Sequence, residues 1–259
     1  MMSKVALVRR PSPHMADGLV THIDRSPVDA ELALQQWHAY VAALQQCGWH
    51  TIEVPAAPDC PDSVFVEDTM VVFRDLAVLA RPGAGERTPE VHDAAAAVVA
   101  LGYRTVQIEA PGTLDGGDVL KVGDTVYVGH GRRTNLEGIA QLRAALEPLG
   151  ASVITVPVSA APHLKSTVTA LPDGTVIGYE PVVDDTHLFP RFLGVREPSG
   201  AHVVLLGDDH VLMSSDCPRT EVLLRSAGLI PVVVDISEFI KLAGCVTGLS
   251  VRLREAPGS

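Results

Sequence analysis

The sequence predicts an α/β fold built from one recurring unit, a β-hairpin followed by a helix. Three observations carry this. Paired β-branched runs meet at Asp- or Gly-bearing turns four times along the chain. Stretches with apolar residues at helical spacing fall between them. Apolar strands, VALVR and LSVRL, stand near the two ends of the 259 residues, and no Gly/Ser linker or charge block divides the chain, so a single domain over 1–259 is expected.

Taken in order, residues 5–9 read as the first strand. Residues 27–46 read as a helix, with Leu32, Trp37, Tyr40, Val41 and Leu44 on one face. Ser26 with Asp29 resembles a capping box, Pro27 suits the first helical position, and Gly48 supplies the stop. A hairpin at 71–80 and a helix at 89–101 follow. The next pair is VLKVGDTVYVG at 119–129 and a helix at 136–149. TVTALPDGTVIGY at 167–179 turns at Pro-Asp-Gly, and only a weak helical segment follows it. VVLLGDDHVLM at 203–213, a helix at 218–227 and the strand at 249–253 complete the series.

The units recur at roughly 35 to 50 residues, a spacing in the range of radial repeats. Counting the two terminal strands together gives five units. A ring of five would put the first and last strands in one blade and remove the sheet edges. An open α/β sheet with several hairpins satisfies the same pattern.

Charge and composition exclude several classes. Lys plus Arg number 20 against 31 for Asp plus Glu, a net charge of −11, which repels phosphate backbones and argues against nucleic acid. Aromatics at 4% disfavour stacking platforms for single strands. The most apolar helical stretch, 93–101, is far shorter than the roughly 18 residues a membrane span needs. The segment MMSKVALVRRPSPH lacks the features of a signal peptide. None of the four cysteines falls in a CxxC pair, which disfavours a zinc site or disulfide framework; a reducing cytoplasm is the expected location.

Five polar clusters can carry chemistry. DSVFVED (62–68) sets Glu67 beside Asp68, a pair that repels unless a cation or hydrogen-bond donors hold it; the alternative is a solvated turn. GTLDGGDVL (112–120) brackets two glycines with Asp115 and Asp118, which permits close approach of another chain or ligand but is also common in plain turns. HLKS (163–166) offers His163 for proton transfer at neutral pH, with Lys165 read as structural or solvated. Arg87 in RPGAGERT and Arg133 in RTN could hold a carboxylate by paired bonds, although surface exposure is the commoner fate of arginine. GCVTGLSV (244–251) holds Cys245, a nucleophile only beside a His or a positive environment and more commonly an inert buried thiol, and Gly248, which in a β-branched run points to a bulge, a close backbone approach or a missing side chain.

Together and in this order, DSVFVEDT, RPGAGER, LDGGDVL, RRTN, HLKS and EFIKLAGCVTGLSV closely resemble the dimethylarginine dimethylaminohydrolase family. The similarity runs from VRRPSP and ADGLVTH to SVRLR. The resemblance implies a five-bladed α/β propeller with pseudo-fivefold repeats, closed by the N- and C-terminal strands. It implies hydrolysis of Nω-methylated arginine to citrulline and a methylamine through a cysteine-bound thiouronium, with no metal or organic cofactor. Glu67 and Asp68 would bind the guanidinium, with Asp62 beside them and Phe65 lining the pocket. Arg87 and Arg133 match positions that hold the substrate α-carboxylate. Leu19 lies in the lid loop, and Leu242 offers a backbone contact. Asp115 and His163 match the catalytic carboxylate and histidine.

One position departs from the pattern. The family places its nucleophilic cysteine after the Thr of the closing segment, and here that residue is Gly248. Cys245 lies three residues earlier, about 10 Å along an extended strand and on the opposite face, so it is not expected to substitute. The chain is therefore expected to be inactive or severely impaired, either as an engineered variant or as a homologue that lost turnover. An arginine deiminase-type hydrolase and a non-catalytic methylarginine-binding protein are the alternatives. A structural propeller that docks on a macromolecule is opposed by the acidic charge. The expected partner is a small methylated arginine, with no nucleic acid and no membrane; a homodimer is left open.

Overall fold

Met70–Phe73 is buried at every position, with Met70 and Val72 in one apolar cluster and Val71 and Phe73 in the next. A strand buried on both faces needs packed neighbours on both sides, which explains its continuous apolar run. The computed structural model describes residues 4–254, and the same double burial recurs around it.

The chain forms five three-stranded sheets. β1 (Val5–Val8) leads through α1 (Ala30–Gln46) to β2 (His50–Glu53), which pairs parallel to it. β3 (Met70–Phe73) and β4 (Leu76–Leu79) form a hairpin; α2 (Glu90–Ala100) then crosses to β5 (Arg104–Gln107), parallel to β4. β6 (Val119–Val122), β7 (Thr125–His130), α3 (Leu136–Leu146) and β8 (Ser152–Pro157) repeat the order. β9 (Val168–Ala170), β10 (Val176–Gly178) and β11 (Phe192–Gly194) do so with 3-10 turns in place of the helix. β12 (Val204–Gly207), β13 (His210–Ser214), α4 (Pro218–Ser226) and β14 (Ile230–Val234) form the last such unit, followed by the short α5 (Ser237–Ile240). β15 (Val251–Leu253) then returns antiparallel to β1, with Val5 opposite Leu253, and completes the first sheet.

The fold is thus the five-bladed α/β propeller, closed by the strands nearest the two ends. Five apolar clusters lie as wedges between successive blades; one joins β1 and α1 to β12 and β13, another joins β15 to β3 and α2. With the core distributed this way, the axis is left to polar groups.

Two expectations need correction. α1 begins at Ala30, not at Pro27, and its cap is Asp29, whose carboxylate accepts from the amides of Glu31 and Leu32, both at 3.0 Å. Asp29 serves because its carboxylate reaches two of the amides that the first helical turn leaves open. The hairpin-plus-helix unit also lacks its last member. Each blade ends in a third, outer strand that the reading of the sequence passed over; Arg104–Gln107 is exposed at every position and carries one apolar residue, whereas Ile230–Val234 has a β-branched run that could have been read.

Candidate active site

The motifs share one structural address. Val66–Thr69 is a 3-10 turn just before β3, Gly116–Asp118 one just before β6, and Leu164–Ser166 one just before β9. Thr247 and Gly248 precede β15. These strands are the inner edges of their sheets, so their leading ends converge at one end of the axis.

A pocket there, of about 60 Å³, is walled by Leu19, Asp62, Phe65, Glu67, Asp68, Arg87, Arg133, His163, Leu242 and Gly248. Asp115 lies behind His163, fully buried. Every residue that the resemblance marked is therefore brought to one place, although not every side chain is free there.

Asp68, Asp115 and His163 form the polar centre. His163 Nε2 is 3.0 Å from Asp115 Oδ2 and 3.8 Å from Asp68 Oδ1. Asp115 Oδ1 accepts from the Gly83 amide at 2.9 Å. Asp68 accepts from the Gly117 amide at 2.9 Å and from Arg87 Nη1 at 2.6 Å. Burial opposes charge on the imidazole, but Asp68 and the Asp115 hydrogen bond override it and push the pKa of His163 up to about 9. Burial likewise opposes charge on Asp68, and His163 and Arg87 overcome it and hold that carboxyl below its usual range. The ligand atoms of this trio lie within 4.8 Å of one another, close enough for a metal. A proton on His163 with amides and Arg87 on the carboxylates instead makes the trio an acid–base set.

Arg87 does not stand free. It is buried, bonded to Glu90 Oε2 at 2.7 Å and Asp68 Oδ2 at 2.6 Å, and its Nη2 donates to the carbonyls of Asp62 and Phe65. In this structure it is a clamp on the carboxylates. Arg133 is half-buried, and no hydrogen bond to its side chain occurs among the described residues, so it offers its guanidinium to an anion. Glu67 also has partners: Oε1 accepts from Lys165 Nζ at 2.6 Å and Arg252 Nη2 at 2.7 Å. Asp62 accepts the Leu19 amide on both oxygens, at 3.2 and 3.0 Å, and ties the ADGLVTH loop to the pocket rim.

The closing segment explains its glycines. Gly244 lies against the ring of Phe65, so any side chain at 244 would collide with it. Gly248 is different. A Cβ placed there would stand 3.3 Å from Phe65 Cδ1 and 3.6 Å from the Cys245 carbonyl, and its backbone is outside the left-handed region. The fold therefore has room for a side chain at 248 after a shift of a few tenths of an ångström by Phe65. Cys245 is buried, 3.1 Å from Thr247 Oγ1, and burial pushes its thiol pKa up, away from the thiolate.

Sequence reasoning passed over several supporting groups. Lys165 pairs with Glu67, and Arg252 shares the same oxygen. Thr134 donates to Asp118 at 2.7 Å, and Asp118 accepts the Leu164 amide at 2.9 Å, which fixes the turn beside His163. The second carboxylate of LDGGD was the available signal for that link.

Comparison with known proteins agrees with this geometry. A family model described as RESC5, RNA-editing substrate-binding complex 5 protein, matches residues 4–185. The N(G),N(G)-dimethylarginine dimethylaminohydrolase of Streptomyces coelicolor is 62% identical over 255 residues, covering 98% of this chain and 99% of that one. The chain belongs to the dimethylarginine dimethylaminohydrolase family. The Pseudomonas aeruginosa member is 34% identical over 97% of this chain and 100% of its own length. A solved structure of a cysteine-to-serine variant of that family member, complexed with citrulline, superposes with a TM-score of 0.90 at 32% identity, covering 98% of this chain and 100% of that one. Within the described residues no helix is long and apolar enough to cross a membrane.

Proposed function

We propose that the pocket receives Nω-methylated arginine and that the chain, with Gly248 in place of a nucleophile, binds this substrate without turning it over at a significant rate. The observation that carries the reading is the pairing of an intact acid–base set, His163 with Asp115 and Asp68, with space for a missing side chain at 248. The names of the relatives support the substrate class.

The chemistry follows from these groups. A guanidinium carbon is a weak electrophile because its charge is delocalised, so its plane must be fixed before attack. Asp68, ionised below its usual range, supplies the fixed negative charge for that plane. Arg133 meets the α-carboxylate at the other end of the substrate. A thiolate on residue 248 would attack the carbon beside protonated His163. The imidazolium donates its proton to the departing dimethylamine, and the neutral ring then takes a proton from water, which attacks the thiouronium and releases citrulline. Asp115 keeps the ring oriented throughout.

The deciding experiment measures citrulline from asymmetric dimethylarginine with this chain and with Gly248→Cys. Turnover only in the substituted protein establishes the reading. Turnover in both overturns the role given to position 248. No turnover in either, with ligand still bound, leaves a methylarginine-binding protein, a reading that Gly248 itself favours. Arginine offered in parallel separates a deiminase-type preference.

A further inference from the structure

The inner strands line a second cavity on the axis, of about 460 Å³, beneath the substrate pocket and open to solvent. Its wall takes residues from each inner strand, β3, β6, β9, β12 and β15. Where the pocket sits at the leading ends of these strands, this cavity reaches their far ends, at the hairpin tips that carry Arg74 and Asp124.

Its charge is opposite to that of the molecule. The chain carries −11 overall, yet Lys121, Lys165, Arg252 and Arg254 all line this cavity. Arg74 and Asp124 pair with each other at 3.3 Å and cancel. Glu67 is then the only lining carboxylate left, and its Oε1 is shared by Lys165 and Arg252. Lys121 Nζ donates to the Val72 carbonyl, and Arg254 Nη2 to the Leu205 carbonyl at 2.7 Å, with the Arg254 guanidinium 5.2 Å from the Trp49 ring centroid. Among the described residues, neither cation has a carboxylate partner. An ammonium bonded once keeps two hydrogens for another acceptor. Desolvation of the amine against the cavity wall, and after it the like charges of Lys165, Arg252 and Arg254, push the Lys121 pKa down to about 7, although the residue as a whole is exposed.

We propose that the axial cavity is a binding site for a small, multiply charged oxyanion of the phosphate class, held by Lys121 and Arg254 with Lys165 and Arg252 at its inner end. Such an anion offers acceptors to the free N–H groups and offsets the mutual repulsion of the cations. A volume of about 460 Å³ suits a small ion, and the net charge of −11 repels polyanions. The site stands whether or not the upper pocket takes methylarginine.

The test is calorimetric titration of the full chain with inorganic phosphate at constant ionic strength set by chloride. One saturable site is expected, weakened by about tenfold or more in Lys121→Met and in Arg254→Met, or about 1.4 kcal/mol, while Arg133→Ala stays within about twofold. Glycerol 3-phosphate, run in parallel, identifies an ester as the better ligand if it binds more tightly and the free ion if it binds less; either result supports the site. Carbon-13 NMR at the lysine Cε positions gives an independent reading: phosphate should raise the titration midpoint of Lys121. Absence of saturable binding, binding that both Lys121→Met and Arg254→Met leave unchanged, or loss of binding in Arg133→Ala alone would overturn the proposal.

Discussion

Asp115 holds His163 at 3.0 Å through Oδ2 while its other oxygen is fixed by the Gly83 amide at 2.9 Å. The imidazole is thus oriented by a buried carboxylate that is itself anchored to the backbone of a different loop. Asp115→Asn keeps the shape and removes the charge. The midpoint of His163, followed by NMR at its Cε1 proton, should fall by about one unit or more. An unmoved midpoint would assign the shift to Asp68 alone.

Stability should carry the same signature. The folded pKa of His163 is raised to about 9 from an ordinary 6.5, so protonation stabilises the fold below pH 6.5 and this contribution is lost as pH rises through about 9. Thermal unfolding of the protein and of His163→Gln should differ most at pH 6 and converge above pH 9. A difference that grows with pH would reverse the assigned sign.

Arg133 should act on one end of the ligand. Arg133→Ala should weaken binding of methylarginine by about 30- to 100-fold, as expected when a charge-assisted pair is removed. Binding of the same ligand lacking its α-carboxylate should change little. Equal loss for both ligands would place Arg133 elsewhere in recognition.

The two glycines of the closing segment should respond differently. Gly244→Ala forces a methyl against Phe65 and should cost roughly 1–3 kcal/mol in chemical denaturation. Gly248→Cys needs only a small shift of the same ring and should cost less than about 1 kcal/mol. Equal costs would show that position 248 is closed to side chains.

Cys245 should remain a bystander. In the Gly248→Cys background, Cys245→Ser should keep citrulline production within about twofold, because the thiol is bonded to Thr247 and held protonated by burial.

What could be read from the sequence followed burial. Met70–Phe73 is apolar on both faces and announces itself, whereas Arg104–Gln107 faces solvent and does not. Each loop motif alone reads equally as a turn; it is the resemblance carried by all of them in order that picks out Asp68, Asp115 and His163. The partners of charged side chains were not legible. Arg87 reads as a holder of a substrate carboxylate or a surface arginine, yet the carboxylates it holds are Asp68 and Glu90, from a turn and a helix of the protein itself. Lys165 reads as structural or solvated, and its partner, Glu67, distant in sequence, could not be named. Such pairings depend on which blades meet, and no local pattern encodes that.

The antiparallel pairing of Val5 with Leu253 has a consequence for biosynthesis. The blade that begins with β1 lacks its inner strand until residue 253 has left the ribosome, and until then Leu7 and Val8 face an open seam. Four blades can take their local shape while translation proceeds, but the circle shuts only once Leu253 has emerged, a step governed by a contact between residues very far apart in sequence.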